Sequence, residues 1–455
     1  MTAIARRRRR NTIVASVLAI VLVVAASAMV AVGAVTLSNS KEGEAVGIDV
    51  RPRETFPATP NALLAVAGDD GELASLVVLT LLPEGQGGSI VTIAVNADST
   101  AGFGLQRRPI DEFFDPDDVE SIVGPVEEML SVSIQRAAIV DAAGLETLLA
   151  PIEQIEVVVP QDVFDTDGDE QVLVIGEGPH TLGRAEIVDV LTAVDEEGDA
   201  YTHHEIDVEL WSALAQTAPI VTPPEPVPVD SLGTPIAPSS VEELFVRLWE
   251  GDVGVRDLGL VQVISTDNPT DADVVLIDRR DSTMVFAQIS PGLVSTPTTG
   301  LNLRVVAPFT DEQLAQTDGL FESTSDLLRQ FIGQMFVVQN NVVSVDAAPT
   351  GAPDVTLIEV YDVRWLADTE AAAAALFGEA EVRLADTTLE GVDLEVTLGI
   401  SYLIREMVRA EPGDGGSVTS NSTAPATDGT TDVDTTQPSA TTVDTDDAGT
   451  VVGDG

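Results

Sequence analysis

The sequence predicts a layered α/β protein with a second, smaller α/β domain. Short apolar runs rich in β-branched residues, at 62–67, 76–82 and 90–95, are typical of strands buried on both faces of a sheet. Helical segments alternate with such runs, and this order is typical of a sheet covered by helices. The alternation returns at 301–405, after a proline-rich stretch at 217–240 that we interpret as a connector or surface loop.

Turn and cap residues locate the other elements along the chain. The run Pro83-Glu-Gly-Gln-Gly-Gly88 separates two strands, and acidic residues open a helix at 117–130, where the helix dipole favours them. Further helices are predicted at 142–149, 182–193, 205–214, 241–249, 326–332 and 368–376. Further strands are predicted at 155–160, 253–264, 274–277, 284–289, 303–306, 336–338, 354–360 and 392–398. These elements form an α/β/α domain at 61–300 and a smaller domain at 301–405.

The N-terminal segment predicts a membrane anchor. Arginines at 6–10 precede an uncharged, mostly apolar run at 12–37, and roughly 20 apolar residues are enough to cross a bilayer. Because basic residues stay on the cytoplasmic side, we expect 1–11 in the cytoplasm, a stalk at 38–60 and the bulk outside the cell membrane. The alternative is a cleaved secretory signal, since small residues at 31–34 suit a peptidase.

The composition excludes several classes of function. Lysine and arginine number 22 against 75 aspartates and glutamates, a net charge of −53, so the protein repels the phosphates of nucleic acid. The chain has no cysteine, which excludes disulfides, thiolate catalysis and cysteine-ligated metals. Residues 411–455 contain no Lys, Arg or aromatic residue and are rich in Ser, Thr, Asp and Gly, so we expect a disordered acidic tail.

Several segments carry a family resemblance when they are taken in chain order. They are Asn61-Ala-Leu-Leu64 with Asp69-Asp70 and Asn96-Ala97-Asp98, then 126–157, then Gly178-Pro-His-Thr-Leu-Gly183, and finally 392–399. Together they resemble the LytR-CpsA-Psr family of envelope proteins over residues 60–405. The last segment is similar to the end of the family's associated C-terminal domain.

The resemblance implies phosphotransfer in the cell envelope. The family moves a polyprenyl-diphosphate-linked glycopolymer onto peptidoglycan, with a magnesium ion and a cluster of arginines and aspartates at the diphosphate. The chemistry is reasonable on physical grounds. Arginine binds phosphate oxygens in a bidentate manner, and a cation held by carboxylates neutralises charge on the leaving group.

The chain departs from the family at the residues that such catalysis needs. The family's Arg-Ser-Asp corresponds to Leu73-Ala74-Ser75, its Pro-Arg-Asp to Asn96-Ala97-Asp98, and its paired arginines to Leu191 and Ala193. Each lost charged hydrogen bond costs about 1.5–3 kcal/mol, so losing several abolishes useful diphosphate binding. We therefore expect that the fold persists and that the usual catalysis does not.

The remaining candidates for a site are few. Asp69 and Asp70 follow a strand and Asp98 ends one, so these carboxylates are candidate ligands for magnesium, if the protein is active, or ordinary strand-end residues. Arg107 and Arg108 are candidates for a phosphate contact, or they pair with neighbouring carboxylates.

Two further motifs have simpler interpretations. The run Asp165-Thr-Asp-Gly-Asp-Glu170 resembles the start of a calcium loop, but its glycine is one position early and Gly176 stands where the last ligand, a glutamate, belongs. We interpret it as a solvated hairpin turn. His203-His204 has no third ligand in the sequence pattern, and we interpret it as a surface pair.

The leading hypothesis is a single-pass extracytoplasmic protein that binds, scaffolds or regulates in cell-wall glycopolymer assembly without catalysis. Its expected partners are the membrane, a polyprenyl-linked glycopolymer, peptidoglycan or envelope proteins, and not nucleic acid. One alternative is an active divergent phosphotransferase that uses magnesium and a small set of residues, namely Asp69, Asp70, Asp98 and Arg107. The other is an unrelated α/β surface interaction module, which would gain support if residues 61–214 did not form one sheet.

Overall fold

The computed structural model describes residues 51–99, 107–167, 170–194, 200–219, 226–263, 268, 272–297 and 299–410. The segments predicted as a cytoplasmic end (1–11), a membrane anchor (12–37) and an acidic tail (411–455) lie outside the described residues, as do residues 38–50 of the stalk. Within the described part of the chain, no helix has the length and apolar character needed to cross a bilayer.

Strands and helices alternate along the described chain. The strands are β1 (Arg53–Glu54), β2 (Asn61–Ala67), β3 (Leu73–Leu81), β4 (Gly88–Ile93), β5 (Ala137–Val140), β6 (Gln154–Val159), β7 (Val163–Asp167), β8 (Glu170–Ile175), β9 (Gly178–Gly183), β10 (Val253–Arg256), β11 (Leu260–Gln262), β12 (Val275–Ile277), β13 (Asn302–Val306), β14 (Asn341–Asp346), β15 (Thr356–Val360), β16 (Ala380–Leu384), β17 (Thr388–Leu389) and β18 (Leu394–Thr397). The helices are α1 (Glu120–Leu130), α2 (Ala142–Leu148), α3 (Arg184–Leu191), α4 (Ala200–Ala215), α5 (Val241–Leu248), α6 (Arg279–Ile289), α7 (Asp311–Leu314), α8 (Thr324–Val337), α9 (Leu366–Phe377) and α10 (Ile400–Ala410).

The first sheet has five strands in the order β10-β4-β3-β2-β5. β3 is antiparallel to both of its neighbours, whereas β5 and β10 add parallel strands at the two edges. Every residue of β2, β3 and β4 is buried, which explains their continuous apolar runs, since both faces of the sheet are covered. β10 lies after the proline-rich stretch, so residues 241–300 contribute to this first sheet.

Two apolar cores lie on opposite faces of the first sheet. Leu64 and Val66 of β2 belong to one core, and the alternate residues Leu63 and Ala65 belong to the other. Helices α2 to α5 pack into the first core, and α1 and α6 pack into the second. The predicted α/β/α layering is therefore present around this sheet.

Two antiparallel strand pairs lie outside the first sheet. β6 pairs with β9, and β7 pairs with β8. β7 ends at Asp167 and β8 begins at Glu170, and the residues between them, 168–169 of the run interpreted as a hairpin turn, lie outside the described residues. One carboxylate oxygen of Asp165 accepts the backbone N–H of Val194 at 3.0 Å. The strands between residues 61 and 214 therefore do not all join one sheet.

The second sheet has the strand order β14-β13-β18-β15-β16, in which only the β18–β15 pair is antiparallel. Helices α8, α9 and α10 bury apolar residues against it. Phe331 of α8 stacks on Phe377 of α9 at 6.1 Å between ring centroids and meets Tyr402 of α10 edge-on at 5.7 Å. This aromatic cluster joins the three helices into one core.

Helix α6 belongs to both cores. Val285 and Phe286 pack under the first sheet, whereas Met284 and Ala287 pack with the second. The buried carboxylate of Asp281 accepts the backbone N–H of Gly259 at 3.1 Å and a hydrogen bond from the guanidinium of Arg329 in α8. This one carboxylate ties a loop next to the first sheet to a helix of the second.

Two predicted strands are wrong. Residues 284–289 lie in α6, whose N-terminus is capped by Asp278 through a hydrogen bond from the backbone N–H of Arg280 at 2.9 Å. The run is apolar because the helix is buried on two sides, and periodicity alone does not separate such a helix from a buried strand. Residues 336–338 close α8, and the strand β14 begins only at Asn341.

The end of the predicted stalk is packed against the protein. Within residues 51–60, β1 pairs in parallel with β17. Arg53 forms an ion pair with Glu390 at 2.8 Å, and Arg51 donates to the backbone oxygen of Ala385 at 2.9 Å. The described part of the stalk is therefore held by the β17 region.

The ion pair at Asp281 should contribute to stability more than an exposed pair does. We expect Arg329→Ala to lower the free energy of unfolding by about 1–3 kcal/mol, because a buried carboxylate loses its charged partner. The matched control is Arg364→Ala, which removes an exposed pair with Asp362 and should destabilise the protein much less, because solvent screens an exposed pair. Urea unfolding of the purified full chain measures both, and equal effects would contradict a special role for Asp281.

Candidate functional site

A cleft of about 740 Å³ lies at the edge of the first sheet where β4 ends and β3 begins. β3 and β4 are antiparallel, so these two strand ends meet at the same edge. Leu73 and Ala74 line the cleft from the start of β3, and Val95 and Asn96 line it from the residues after β4. Ile206 lines it from α4. Because β2, β3 and β4 are buried and carry no charged side chain, the charged residues of this region lie beyond the ends of these strands.

Backbone hydrogen bonds hold the segments that build the cleft. The N–H of Val275 donates to the oxygen of Asn96 at 3.2 Å, and the N–H of Asp98 donates to the oxygen of Val275 at 2.8 Å. The N–H of Asp111 donates to the oxygen of Val95 at 3.1 Å. Three segments far apart in the sequence are therefore fixed side by side.

The polar lining of the cleft is mostly acidic. Its carboxylates belong to Glu72, Asp111, Glu112, Asp162 and Asp273, all of which keep exposed surface. Partial burial of the carboxyl group raises the pKa of Asp111, and repulsion from Glu112, Asp273 and Glu72 raises it further. Among the described lining residues, the one side chain able to carry a positive charge is that of His203.

The side chain of Asn96 is buried beneath these carboxylates. The residue is only 2% exposed, and neither the nitrogen nor the oxygen of its amide group has a hydrogen-bond partner among the described residues. Leaving a buried polar group unpaired costs about 1–3 kcal/mol. The cleft therefore favours an occupant that can hydrogen-bond to this amide.

The two neighbouring histidines lie inside the protein, so their interpretation as a surface pair is wrong. His204 is 4% exposed, and its Nε2 lies 2.9 Å from a carboxylate oxygen of Asp257. His203 lies 3.9 Å from the buried carboxylate of Asp207, one turn along α4. The cause is the packing of α4 on the first sheet, where Ile206 and Leu210 join the core.

The residues proposed from the sequence fall into two groups. Asp98 and Arg107 form a buried ion pair at 2.5 Å, and Arg108 pairs with Glu112 at 2.9 Å. Asp69 and Asp70 line a separate small hollow. In the described part of the chain, no group of three or more His, Asp or Glu side chains is placed to hold a metal ion. Magnesium and phosphate roles for these residues stay predictions.

Half of the positions that the sequence resemblance aligns with the family's motifs line the cleft. Leu73, Ala74, Asn96 and Ala193 line it, whereas Ser75, Ala97, Asp98 and Leu191 are not among its described lining residues. The sequence reasoning missed the acidic residues Asp162 and Asp273 and the inward position of His203. In the sequence, Asp273 is recognisable only as an acidic residue next to a strand, here β12. Acidic residues in such positions are too common in this chain to indicate a site.

The comparisons with known proteins give a likeness of fold. No family model matches the sequence, and no curated protein does. The fold is similar to those of TagV from B. subtilis (16% identity, TM-score 0.35, covering 53% of this chain and 100% of TagV) and TagT bound to LIIa-WTA (15%, TM-score 0.35, 53% and 93%). TagU from B. subtilis is similar at 12% identity and a TM-score of 0.30, covering 53% of this chain and 99% of TagU.

TagT, TagU and TagV are LytR-CpsA-Psr proteins. The class of protein that the fold of this chain defines is a mixed α/β protein, whose described residues form two five-stranded sheets covered by helices. At this level of identity and superposition the likeness does not extend to activity. The functional proposals below therefore depend on the residues of this chain.

The buried Asp207 should make stability depend on pH. Burial raises the pKa of this carboxyl from its usual 3.8, while His203, Ser75 and His204 lower it in part. The folded state then binds more protons than the unfolded state above pH 3.8, so stability falls as pH rises through the raised pKa. We expect Asp207→Asn to be more stable than the unmodified protein at pH 7, by about 1.4 kcal/mol for each pH unit of elevation.

Thermal unfolding of the purified full chain between pH 3 and 8 measures this effect. The difference between Asp207→Asn and the unmodified protein should disappear below pH 3.8, where the carboxyl is protonated in both states. The exposed Asp117→Asn serves as the control and should show no such crossover. If Asp207→Asn were less stable than the unmodified protein at pH 7, the attraction between His203 and the carboxylate would outweigh the cost of burying its charge.

Proposed function

We propose that this protein is a membrane-anchored, extracytoplasmic member of the LytR-CpsA-Psr type that acts in cell-wall glycopolymer assembly by binding rather than by phosphotransfer. Its partners in this proposal are peptidoglycan, other envelope proteins or the glycan part of a polyprenyl-linked glycopolymer, whose diphosphate stays outside the cleft. Support for the envelope role comes from the motifs in the sequence. A structure of TagT bound to LIIa-WTA is a precedent for glycopolymer binding on a similar fold.

The observation that carries the non-catalytic role is the charge of the cleft. A diphosphate needs arginines or a carboxylate-bound cation, yet the positions that line the cleft hold Leu73, Ala74, Asn96 and Ala193. Carboxylates surround these residues and would repel a diphosphate. Arg108 lies nearby, but its guanidinium pairs with Glu112 and lies 4.1 Å from the ring centre of Phe113.

The internal segments that the structure leaves undescribed contain no basic residue that could supply the missing charge. The internal segments that the structure leaves undescribed are 100–106, 168–169, 195–199, 220–225, 264–267, 269–271 and 298. None of them contains a lysine or an arginine. The protein therefore has no further basic residue within these segments to bring to a diphosphate.

The alternative of a divergent phosphotransferase needs its carboxylates and arginine to converge on a cleft. Asp98 and Arg107 are paired with each other and buried, and Asp69 and Asp70 line another hollow. An unrelated interaction module gains some support from the two strand pairs outside the first sheet, but it does not account for the family-like motifs in the sequence.

A titration with farnesyl diphosphate, with and without magnesium, tests the non-catalytic role. We expect the purified full chain to show no saturable binding in either condition, because the carboxylates of the cleft repel the diphosphate and no arginine lines it. Asp98→Ala and Arg107→Ala should behave like the unmodified protein. Magnesium-dependent binding that either variant abolishes would instead support the phosphotransferase and would justify a transfer assay.

A further inference from the structure

We propose that the cleft at the end of the first sheet binds an organic ligand through a primary ammonium group. The carboxylates of Glu72, Asp111 and Asp273 would surround the ammonium, and the amide of Asn96 would hydrogen-bond to a polar group beside it. The inference rests on the proposed function in one respect, namely that the cleft is not a diphosphate site. It assigns to the cleft a positively charged ligand, whereas a diphosphate is negatively charged.

The negative charge of these carboxylates is not balanced by basic side chains in the part of the chain that the structure describes. Glu72, Asp111 and Asp273 line one cleft, and in the described chain none of them forms an ion pair. The electrostatic repulsion at Asp111 arises from Glu72 and Asp273 together with Glu112. A bound cation would remove this repulsion, because opposite charges at close range stabilise the ionised carboxylates.

The buried amide of Asn96 favours an organic ligand, independently of these charges. Asn96 is almost fully buried, lines the same cleft, and has no hydrogen-bond partner for its side-chain nitrogen or oxygen among the described residues. An amide both donates and accepts. It therefore suits a ligand that carries a hydroxyl or amide group near its cation, and a simple cation would leave the amide nitrogen unpaired.

The size and walls of the cleft also favour an organic ligand over a metal ion. Ligand pockets commonly have volumes of about 300–1,000 Å³, and this cleft, at about 740 Å³, lies within that range. Phe114, Phe164 and Ile206 supply apolar walls. The described carboxylates form no group that could hold a metal. Amino sugars and lysine side chains both carry the required ammonium group.

Isothermal titration calorimetry of the purified full chain tests the proposal with charge-matched ligand pairs. One pair is glucosamine with N-acetylglucosamine, and the other is Nα-acetyl-lysine methylamide with its Nε-acetylated form. We expect at least one amine to bind saturably and its acetylated partner to bind at least about tenfold more weakly. The pair that responds distinguishes a sugar source from a peptide source.

Variants connect such binding to the cleft. Asp111→Asn and Asp273→Asn keep the side-chain shape and remove one charge each, so each should weaken amine binding about tenfold. Asn96→Ala should weaken binding of an amine that carries a neighbouring polar group. Glu370→Gln, an exposed change on α9, is the matched control and should have no effect. Unfolding midpoints measured in parallel exclude loss of fold.

Farnesyl diphosphate and magnesium chloride are titrated in the same experiment as two further ligands. If no amine binds and farnesyl diphosphate does not bind, the ammonium site is overturned and the non-catalytic role stands. Magnesium-dependent binding of farnesyl diphosphate would overturn both proposals. Saturable binding of magnesium chloride alone, or equal binding of an amine and its acetylated partner, would overturn the ammonium site, since neither result depends on an organic cation.

Discussion

Burial of the first sheet on both faces is the constraint from which the rest of the structure follows. Strands β2, β3 and β4 are buried along their whole length and carry no charged side chain, because burying an unpaired charge is costly. Helices then have to cover both faces, and the chain devotes α1 to α6 to that task. Charged chemistry is confined to the ends of the strands, where water reaches the protein. The cleft lies at such an end for this reason.

The same constraint separates the scaffold from its chemistry. Leu73 at the start of β3 and Ala193 after α3 are buried apolar residues, so they form part of the core as well as the wall of the cleft. The charge of the cleft is then set by the exposed carboxylates around it. A protein with 75 acidic residues and few arginines has little basic charge to place there. An acidic cleft with an unpaired amide is the chemical result.

A single helix limits how independent the two sheets are. α6 buries residues in two cores, and Asp281 accepts hydrogen bonds from a loop near the first sheet and from α8 beside the second. An unpaired carboxylate at that position would be costly, because burial disfavours its charge. The helix and its ion pair make the two sheets parts of one compact unit that ends at residue 410.

The sequence by itself determined the three central strands of the first sheet, β2, β3 and β4, since continuous β-branched runs between turn residues have few other solutions, but it did not indicate the edge strand β5 (Ala137–Val140). It also determined the absence of thiol chemistry and the scarcity of basic residues, because both depend only on which residues are present. The tertiary structure alone decided that 284–289 is a helix, that His204 is buried while His203 lines the cleft, and that Asp111 and Asp273 share this cleft with Asn96. These features depend on contacts between segments distant in the chain. The local sequence pattern does not indicate such contacts. An apolar run, or an acidic residue beside a strand, is the same in the sequence whichever part of the protein it contacts in the fold.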